Sequence, residues 1–157
     1  MRIGANPAKI NPDLGDIQRH RVIIPIYIPN HTGYHEHTFE VLKMCLESLK
    51  LSAAGKVAVT LLANQSSPQV KQYLQEQQQE GWVDQLVLNS ENLGKVDAVA
   101  AAARGAYEEL LTITDCDVLF APGWLEAAES TFAAFPECGF LGLSPNPKLS
   151  LYHTSAC

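Results

Sequence analysis

Residues 110–117 read Leu-Leu-Thr-Ile-Thr-Asp-Cys-Asp, an apolar and β-branched run that leads directly into two acidic residues. The run Leu110 to Thr114 predicts a strand buried in a sheet. Alternate side chains of an extended chain point the same way, so we expect the carboxylates of Asp115 and Asp117 to converge. Two nearby carboxylates repel each other, and a divalent cation relieves that repulsion. The stretch therefore predicts an Mn²⁺ or Mg²⁺ site with Asp115 and Asp117 as ligands, although a solvated turn is the alternative for an isolated Asp-x-Asp.

The chain alternates between strand and helix patterns on both sides of this stretch. Val22 to Ile28 is almost continuously apolar, which is typical of a strand buried on both faces of a parallel sheet. Ser67 as N-cap, Pro68 in the first turn and Gly81 as the stop predict a helix. The full pattern predicts strands at 22–28, 57–62, 83–88, 110–114 and 140–143, and helices at 39–49, 67–81, 94–107 and from 122 onward. The third helix should bury a face formed by Val96, Val99, Ala100, Ala103 and Tyr107.

Alternating strands and helices predict an α/β fold with a mostly parallel central sheet flanked by helices. Ligands of such sheets bind beyond the carboxyl ends of the strands, where the strand order reverses. We expect residues 1–20 to be an irregular lead-in and residues 21–157 to be one domain. Pro25 cannot donate to a ladder, so it should lie at the end of its strand or beside a break in pairing.

Two further loops at that edge of the sheet carry polar residues. Asn92-Leu93-Gly94-Lys95 follows the third strand and opens a helix, whose free N–H groups favour an anion. The glycine lets a ligand approach the backbone, and Lys95 can reach a phosphate. A plain turn with a surface lysine is the alternative. Asn64, Ser66 and Ser67 follow the second strand and could bind a base or ribose, or only cap a helix.

Composition excludes several classes of protein. The 157 residues are 46% hydrophobic and 18% charged, as in a globular domain. A net charge of -6 without a basic cluster excludes a nucleic-acid partner, and no apolar stretch approaches the ~20 residues of a transmembrane segment. The four cysteines are Cys45, Cys116, Cys138 and Cys157. They lack a C-x-x-C pair, which predicts reduced thiols and a cytoplasmic location.

The loop after the first strand also contains three histidines, but their spacing is not that of a metal site. They are His31, His35 and His37.

In chain order these motifs resemble those of family-2 glycosyltransferases, which have the GT-A fold. The resemblance covers roughly residues 21–143, and Asn92 and Asp115 are 23 residues apart (115 − 92), a spacing that fits the family. It implies a nucleotide-diphospho-sugar donor, in that family usually a UDP-sugar, and transfer with inversion to a saccharide, lipid or protein acceptor. The motifs are Pro25-Ile26-Tyr27, Asn92-x-Gly94-Lys95 with Ala98, and Asp115-Cys116-Asp117. The implied nucleotide-sugar pocket is lined by Pro25, Ile26, Tyr27, Asn64, Asn92, Gly94, Lys95, Asp115 and Cys116, with the metal ion on Asp115 and Asp117.

The sequence departs from the family pattern in three ways. Asn64 stands where an aspartate is usual, which weakens any charge-assisted contact with ribose or base. Ile28 and Ala100 stand where asparagines are frequent. We also expect the C-terminal acceptor half, which normally supplies the catalytic base, to be missing, so no base is assigned.

Two other interpretations stay open. Asp115-Cys116-Asp117-Val118 fits the nucleophile motif of haloacid-dehalogenase-like phosphatases, but only 40 residues follow Asp117, too few for the remaining loops of that fold. The chain could also be a non-catalytic module that binds a nucleotide-sugar.

Overall fold

The computed structural model describes residues 18–142 and contains strands and helices in alternation. The first four predicted strands and all four predicted helices are confirmed, with ends displaced by up to four residues. A short 3-10 turn, Gly33–His35, lies between the first strand and the first helix. The strands are β1 (His20–Ile26), β2 (Ala58–Asn64), β3 (Gln85–Asn89) and β4 (Leu110–Ile113), and the helices are α1 (Thr38–Ala53), α2 (Pro68–Gln79), α3 (Lys95–Arg104) and α4 (Trp124–Ala134).

The four strands form a parallel sheet in the order β3-β2-β1-β4. The chain moves outward from β1 through β2 to β3, and then crosses back to place β4 on the other side of β1. The strand order therefore reverses between β1 and β4, and a crevice opens there beyond their carboxyl ends. The segments that follow Ile26 and Ile113 border this crevice.

Pro25 lies where pairing between β1 and β4 stops. The ladder between these strands ends at the pair Ile23 and Ile113, where the carbonyl of Ile23 accepts from the N–H of Thr114. Backbone groups of alternate residues point to the same neighbour, so position 25 also faces β4. Proline has no N–H to continue that ladder. The predicted break in pairing is confirmed.

Both faces of β1 are buried, which explains its continuous apolar run. Val22, Ile24 and Ile26 pack on the face covered by α1, α2 and α4. Ile23 packs on the opposite face against α3. Each fully buried aliphatic side chain contributes roughly 1.5–3 kcal/mol, so the sheet and these helices hold the crevice in a rigid frame.

The prediction for the apolar face of α3 is partly wrong. Val96 is 78% exposed because it lies to one side of the stripe that meets the sheet. Tyr107 is 89% exposed and lies beyond the end of the helix at Arg104. The buried stripe and its partly buried flank consist of Ala98, Val99, Ala102 and Ala103.

The predicted fifth strand, residues 140–143, is not found among the three of its residues that the structure describes. Residues 140–142 are irregular, and Phe140 is 85% exposed. A short apolar run forms a strand only if a neighbouring edge pairs with it, and within residues 18–142 nothing pairs with this segment. Leu143 and the lead-in residues 1–17 lie outside the described part. No helix within residues 18–142 is long and apolar enough to span a bilayer.

Candidate nucleotide-sugar site

A cavity of about 320 Å³ lies at the carboxyl ends of the strands, beside the point where the strand order reverses. Its walls come from the end of β1 and the residue after it, from the segment that follows β4, and from the β3–α3 loop with the first residue of α3. One residue of β2 also contributes. These are the residues that the sequence analysis placed in the site, and the structure brings them together. Their roles as ligands stay predictions. The lining residues are Pro25, Ile26, Tyr27, Asn64, Asn92, Gly94, Lys95, Asp115, Cys116 and Asp117.

Asp115 and Asp117 both line the cavity and are both exposed, whereas Cys116 between them packs against the core below α1. Both carboxylates therefore reach the same cavity, and Cys116, in the turn between them, contributes to its lining as well. Burial, followed by the charge of Asp117, raises the pKa of the Cys116 thiol to about 11. The thiol therefore stays protonated near neutral pH and adds no negative charge to the cavity.

The two carboxylates do not form a complete metal site alone. Within residues 18–142, no group of three or more His, Cys, Asp or Glu side chains could together hold a metal ion. Oxygen ligands on an open cavity fit Mg²⁺ or Mn²⁺, which keep several positions for water and phosphate oxygens. The two carboxylates would therefore fit a hard divalent ion only where further oxygen ligands complete its coordination.

The β3–α3 loop carries the positive side of the cavity. Gly94 precedes α3 with φ +76° and ψ 158°, a conformation that side chains other than glycine rarely adopt. The next residue, Lys95, donates from Nζ to Oδ1 of Asp115 across the cavity. The first turn of α3 has free N–H groups at the same place. A cation and a helix N-terminus therefore face the two carboxylates.

Asn64 links β2 to this loop. It is 3% exposed, and its Nδ2 donates to Oδ1 of Asn92 at 2.7 Å and to the carbonyl of Gly94 at 3.4 Å. Its Oδ1 accepts from the N–H of Leu93 at 3.0 Å and from Nδ2 of Asn89 at 3.5 Å. The resemblance placed Asn64 in the nucleotide pocket, and Asn64 does line the cavity. Its amide, however, is engaged with the loop and with Asn89 at the end of β3.

The side chains of Ser66 and Ser67 form hydrogen bonds with backbone groups. The hydroxyl of Ser66 donates to the carbonyl of Ile26 at 3.0 Å and accepts from the N–H of Ile28 at 3.2 Å. These two bonds bracket Tyr27, which is 43% exposed and lines the cavity. Ser67 caps α2 by accepting from the N–H of Val70. Sequence analysis considered capping but missed the role of Ser66, which only the pairing of β1 and β2 reveals.

The three histidines of the β1–α1 loop do not converge on a common point. His31 contacts the hydroxyl of Ser67 at 3.0 Å, whereas the ring of His35 meets Tyr27 edge to face with centroids 5.9 Å apart. The ring of Tyr34 also meets His35 edge to face, with centroids 5.2 Å apart. The loop therefore places aromatic rings beside Tyr27, outside the lining of the cavity itself, and the sequence carried no signal for this arrangement.

The strand order and the position of the cavity define a parallel α/β protein of the class that binds nucleotides at the switch point of its sheet. Residues 22–142 match the sequence model described as glycosyl transferase family 2. This match covers well over half of the chain, and the protein belongs to that family.

Solved structures share the fold. The mannosyltransferase PcManGT from Pyrobaculum calidifontis, in complex with GDP-Man and Mn²⁺, is 23% identical with a TM-score of 0.61, over 82% of this chain and 36% of that one. S. aureus TarS 1–349 is 17% identical with a TM-score of 0.59, over 74% of this chain and 32% of that one. Its complex with UDP-GlcNAc has a TM-score of 0.57 at the same identity, with 31% of that chain covered. No curated protein sequence matches significantly.

These similarities confirm the predicted GT-A fold. The chain spans about a third of the length of the solved structures it matches. The phosphatase interpretation is wrong, because the family match and the fold are those of glycosyltransferases and because the acidic pair follows the fourth strand of the described sheet.

Proposed function

We propose that this chain is the donor-binding part of a metal-dependent glycosyltransferase that uses a nucleotide-diphospho-sugar. The observation that carries the proposal is the convergence of Asp115, Asp117 and Lys95 in one cavity at the switch point of the sheet. Two acidic groups suit a divalent ion, and a lysine beside a helix N-terminus suits phosphate oxygens. A diphosphate can bind both features at once, because its oxygens can coordinate the ion and also accept hydrogen bonds from the lysine and the helix N–H groups.

The chain's own residues bind and orient the donor. Lys95 and the first turn of α3 hold phosphate oxygens, and Gly94 lets them approach the backbone closely. Tyr27 offers a half-exposed ring for the nucleobase. The carboxylates of Asp115 and Asp117 hold Mn²⁺ or Mg²⁺, which when bound stabilises charge on the departing nucleoside diphosphate.

The transfer is proposed to invert the anomeric carbon through direct displacement by an acceptor hydroxyl. A base must remove the acceptor proton in such a step, and we assign none to residues 18–142. The acceptor is a saccharide, lipid or protein. UDP is the first nucleotide to test because family-2 enzymes usually use it and TarS is solved with UDP-GlcNAc, and GDP is the second because PcManGT is solved with GDP-Man.

A second candidate is a module that binds the donor without transferring the sugar. The cavity supports it as well, because its lining residues account for donor binding and include no assigned base. Both candidates predict donor binding, and only the first predicts turnover. For location we propose the cytoplasm, because Cys45, Cys116 and Cys138 are free thiols, as expected in a reducing compartment.

Calorimetry with UDP and with GDP tests the proposal. At least one of them should bind with Mn²⁺ present and bind much more weakly in EDTA, and Asp117→Ala should remove that metal dependence. Asp97→Ala is the matched control, since Asp97 is an exposed aspartate of α3 outside the cavity lining and its loss should preserve metal dependence. Equal affinity with Mn²⁺ and with EDTA would refute the proposal. Hydrolysis of a UDP-sugar or GDP-sugar then separates an enzyme from a binding module.

A further inference from the structure

The side chain of Asn64 uses all of its hydrogen-bonding capacity on protein groups. An amide has two N–H donors and an oxygen with two lone pairs. Nδ2 faces Oδ1 of Asn92 and the carbonyl of Gly94, and Oδ1 faces the N–H of Leu93 and Nδ2 of Asn89. With 3% of its surface exposed, Asn64 has no free polar atom to offer a nucleotide.

The loop that Asn64 holds has little other support. Residues 90–97 are all exposed, so packing does not determine their positions. Oδ1 of Asn92 also accepts from the N–H of Gly94 at 2.9 Å, so Asn64 and Asn92 together hold this glycine in its positive-φ conformation. Lys95 follows directly and points across the cavity to Asp115.

We propose that Asn64 is a positioning residue that fixes Lys95 and the start of α3 for the donor diphosphate, and that it does not read the nucleobase. The inference rests on the proposed function. A carboxylate at this position could not replace the amide, because Asn92 Oδ1 and the Gly94 carbonyl are both acceptors and a carboxylate only accepts. The site therefore depends on asparagine where the family pattern has an acidic residue.

Two identical substitutions at the two ends of one hydrogen bond test this role. Asn64→Asp removes the donor and opposes two acceptors, whereas Asn92→Asp keeps an oxygen that accepts from Asn64 and from Gly94. Amide exchange at Gly94 should become roughly 10-fold faster in Asn64→Asp and stay slow in Asn92→Asp. Equal protection in both variants would overturn the proposal. If Asn64→Asp does not fold, Asn64→Ala removes the same donor without opposing the two acceptors and should also speed exchange at Gly94.

Binding of UDP and of GDP with Mn²⁺ separates positioning from base recognition. In Asn64→Asp both affinities should fall by the same factor, roughly 10-fold, and their ratio should not change. A changed ratio would show that Asn64 contacts the base, which would refute the inference. In a protein that already carries Lys95→Met, adding Asn64→Asp should cause little further loss of nucleotide affinity, because Asn64 is proposed to act through the contact of Lys95 with the diphosphate. If the two losses of affinity simply add, Asn64 does not act through Lys95.

Failure of the proposed function remains distinguishable from failure of this inference. If the wild-type protein binds neither nucleotide, the proposed function is wrong and the donor part of the inference falls with it. Exchange at Gly94 still decides whether Asn64 holds the loop, because it needs no ligand.

Discussion

Replacing Gly94 with alanine tests whether the conformation of the β3–α3 loop is needed for the site. The backbone there has φ +76° and ψ 158°, and a Cβ built on it meets nothing within 4 Å. The substitution therefore causes no collision, and its whole cost is the backbone conformation. For a non-glycine residue in this region the cost is about 1–3 kcal/mol.

That cost must appear in one of two measurements. If the loop keeps its conformation, the free energy of unfolding from urea titration should fall by about 1–3 kcal/mol. If the loop relaxes, stability is retained, but the competent loop is populated less and UDP affinity falls by roughly 5- to 150-fold. In that second case, exchange at the Gly94 amide should also become faster.

Gly81→Ala is the matched control for Gly94→Ala. Gly81 has φ +83°, and a Cβ there also meets nothing within 4 Å, but it follows α2 and does not line the cavity. It should lower stability by about 1–2 kcal/mol and leave nucleotide binding unchanged. The reasoning is refuted if Gly94→Ala matches the wild-type protein in both stability and UDP affinity.

Two further predictions concern stability. Glu108→Gln should lower the free energy of unfolding by about 1.5–3 kcal/mol in urea titration, because it removes the charge that pairs with the part-buried Arg21 guanidinium through two bonds of 2.6 and 2.8 Å. The neighbouring Glu109→Gln removes an exposed pair with Arg19 and should cost at most about 1 kcal/mol, so equal losses would contradict the argument. Burial lowers the pKa of His20 in the folded protein, so as the pH falls the unfolded chain takes up a proton at this position before the folded chain does. The free energy of unfolding should therefore decrease as the pH drops below about 6.5, the ordinary pKa of histidine. The decrease should be steeper in the wild-type protein than in His20→Gln. Identical pH profiles between pH 5 and 7.5 would rule out His20 as the cause.

Most of the secondary structure could be predicted because its signals are local. Ser67 and Pro68 open α2 and Gly81 follows its end, each through backbone preferences that need no tertiary contact. The failed predictions concern exposed apolar residues. Val96 and Phe140 carry no local mark of exposure, because burial depends on which surface another element covers.

The candidate site could be predicted as a set of residues but not as a set of contacts. Parallel strands place their carboxyl ends at one edge, so the residues after β1, β2, β3 and β4 had to meet once the α/β pattern was identified. The sequence could not tell that the amide of Asn64 is fully engaged, because its partners lie 25 to 30 residues away. The two hydrogen bonds that Ser66 makes on either side of Tyr27 likewise form only because β1 pairs with β2.

The sequence by itself determined the alternation of strands and helices and the position of Asp115 and Asp117 after the fourth strand, since both follow from side-chain periodicity along a few residues. Only the tertiary structure decided the strand order, the ion pair of Arg21 with Glu108 and the partners of Asn64 and Lys95. The physical reason is one of range. Backbone preference acts between near neighbours, whereas hydrogen bonds and ion pairs form between whatever groups the packed chain brings within about 3 Å.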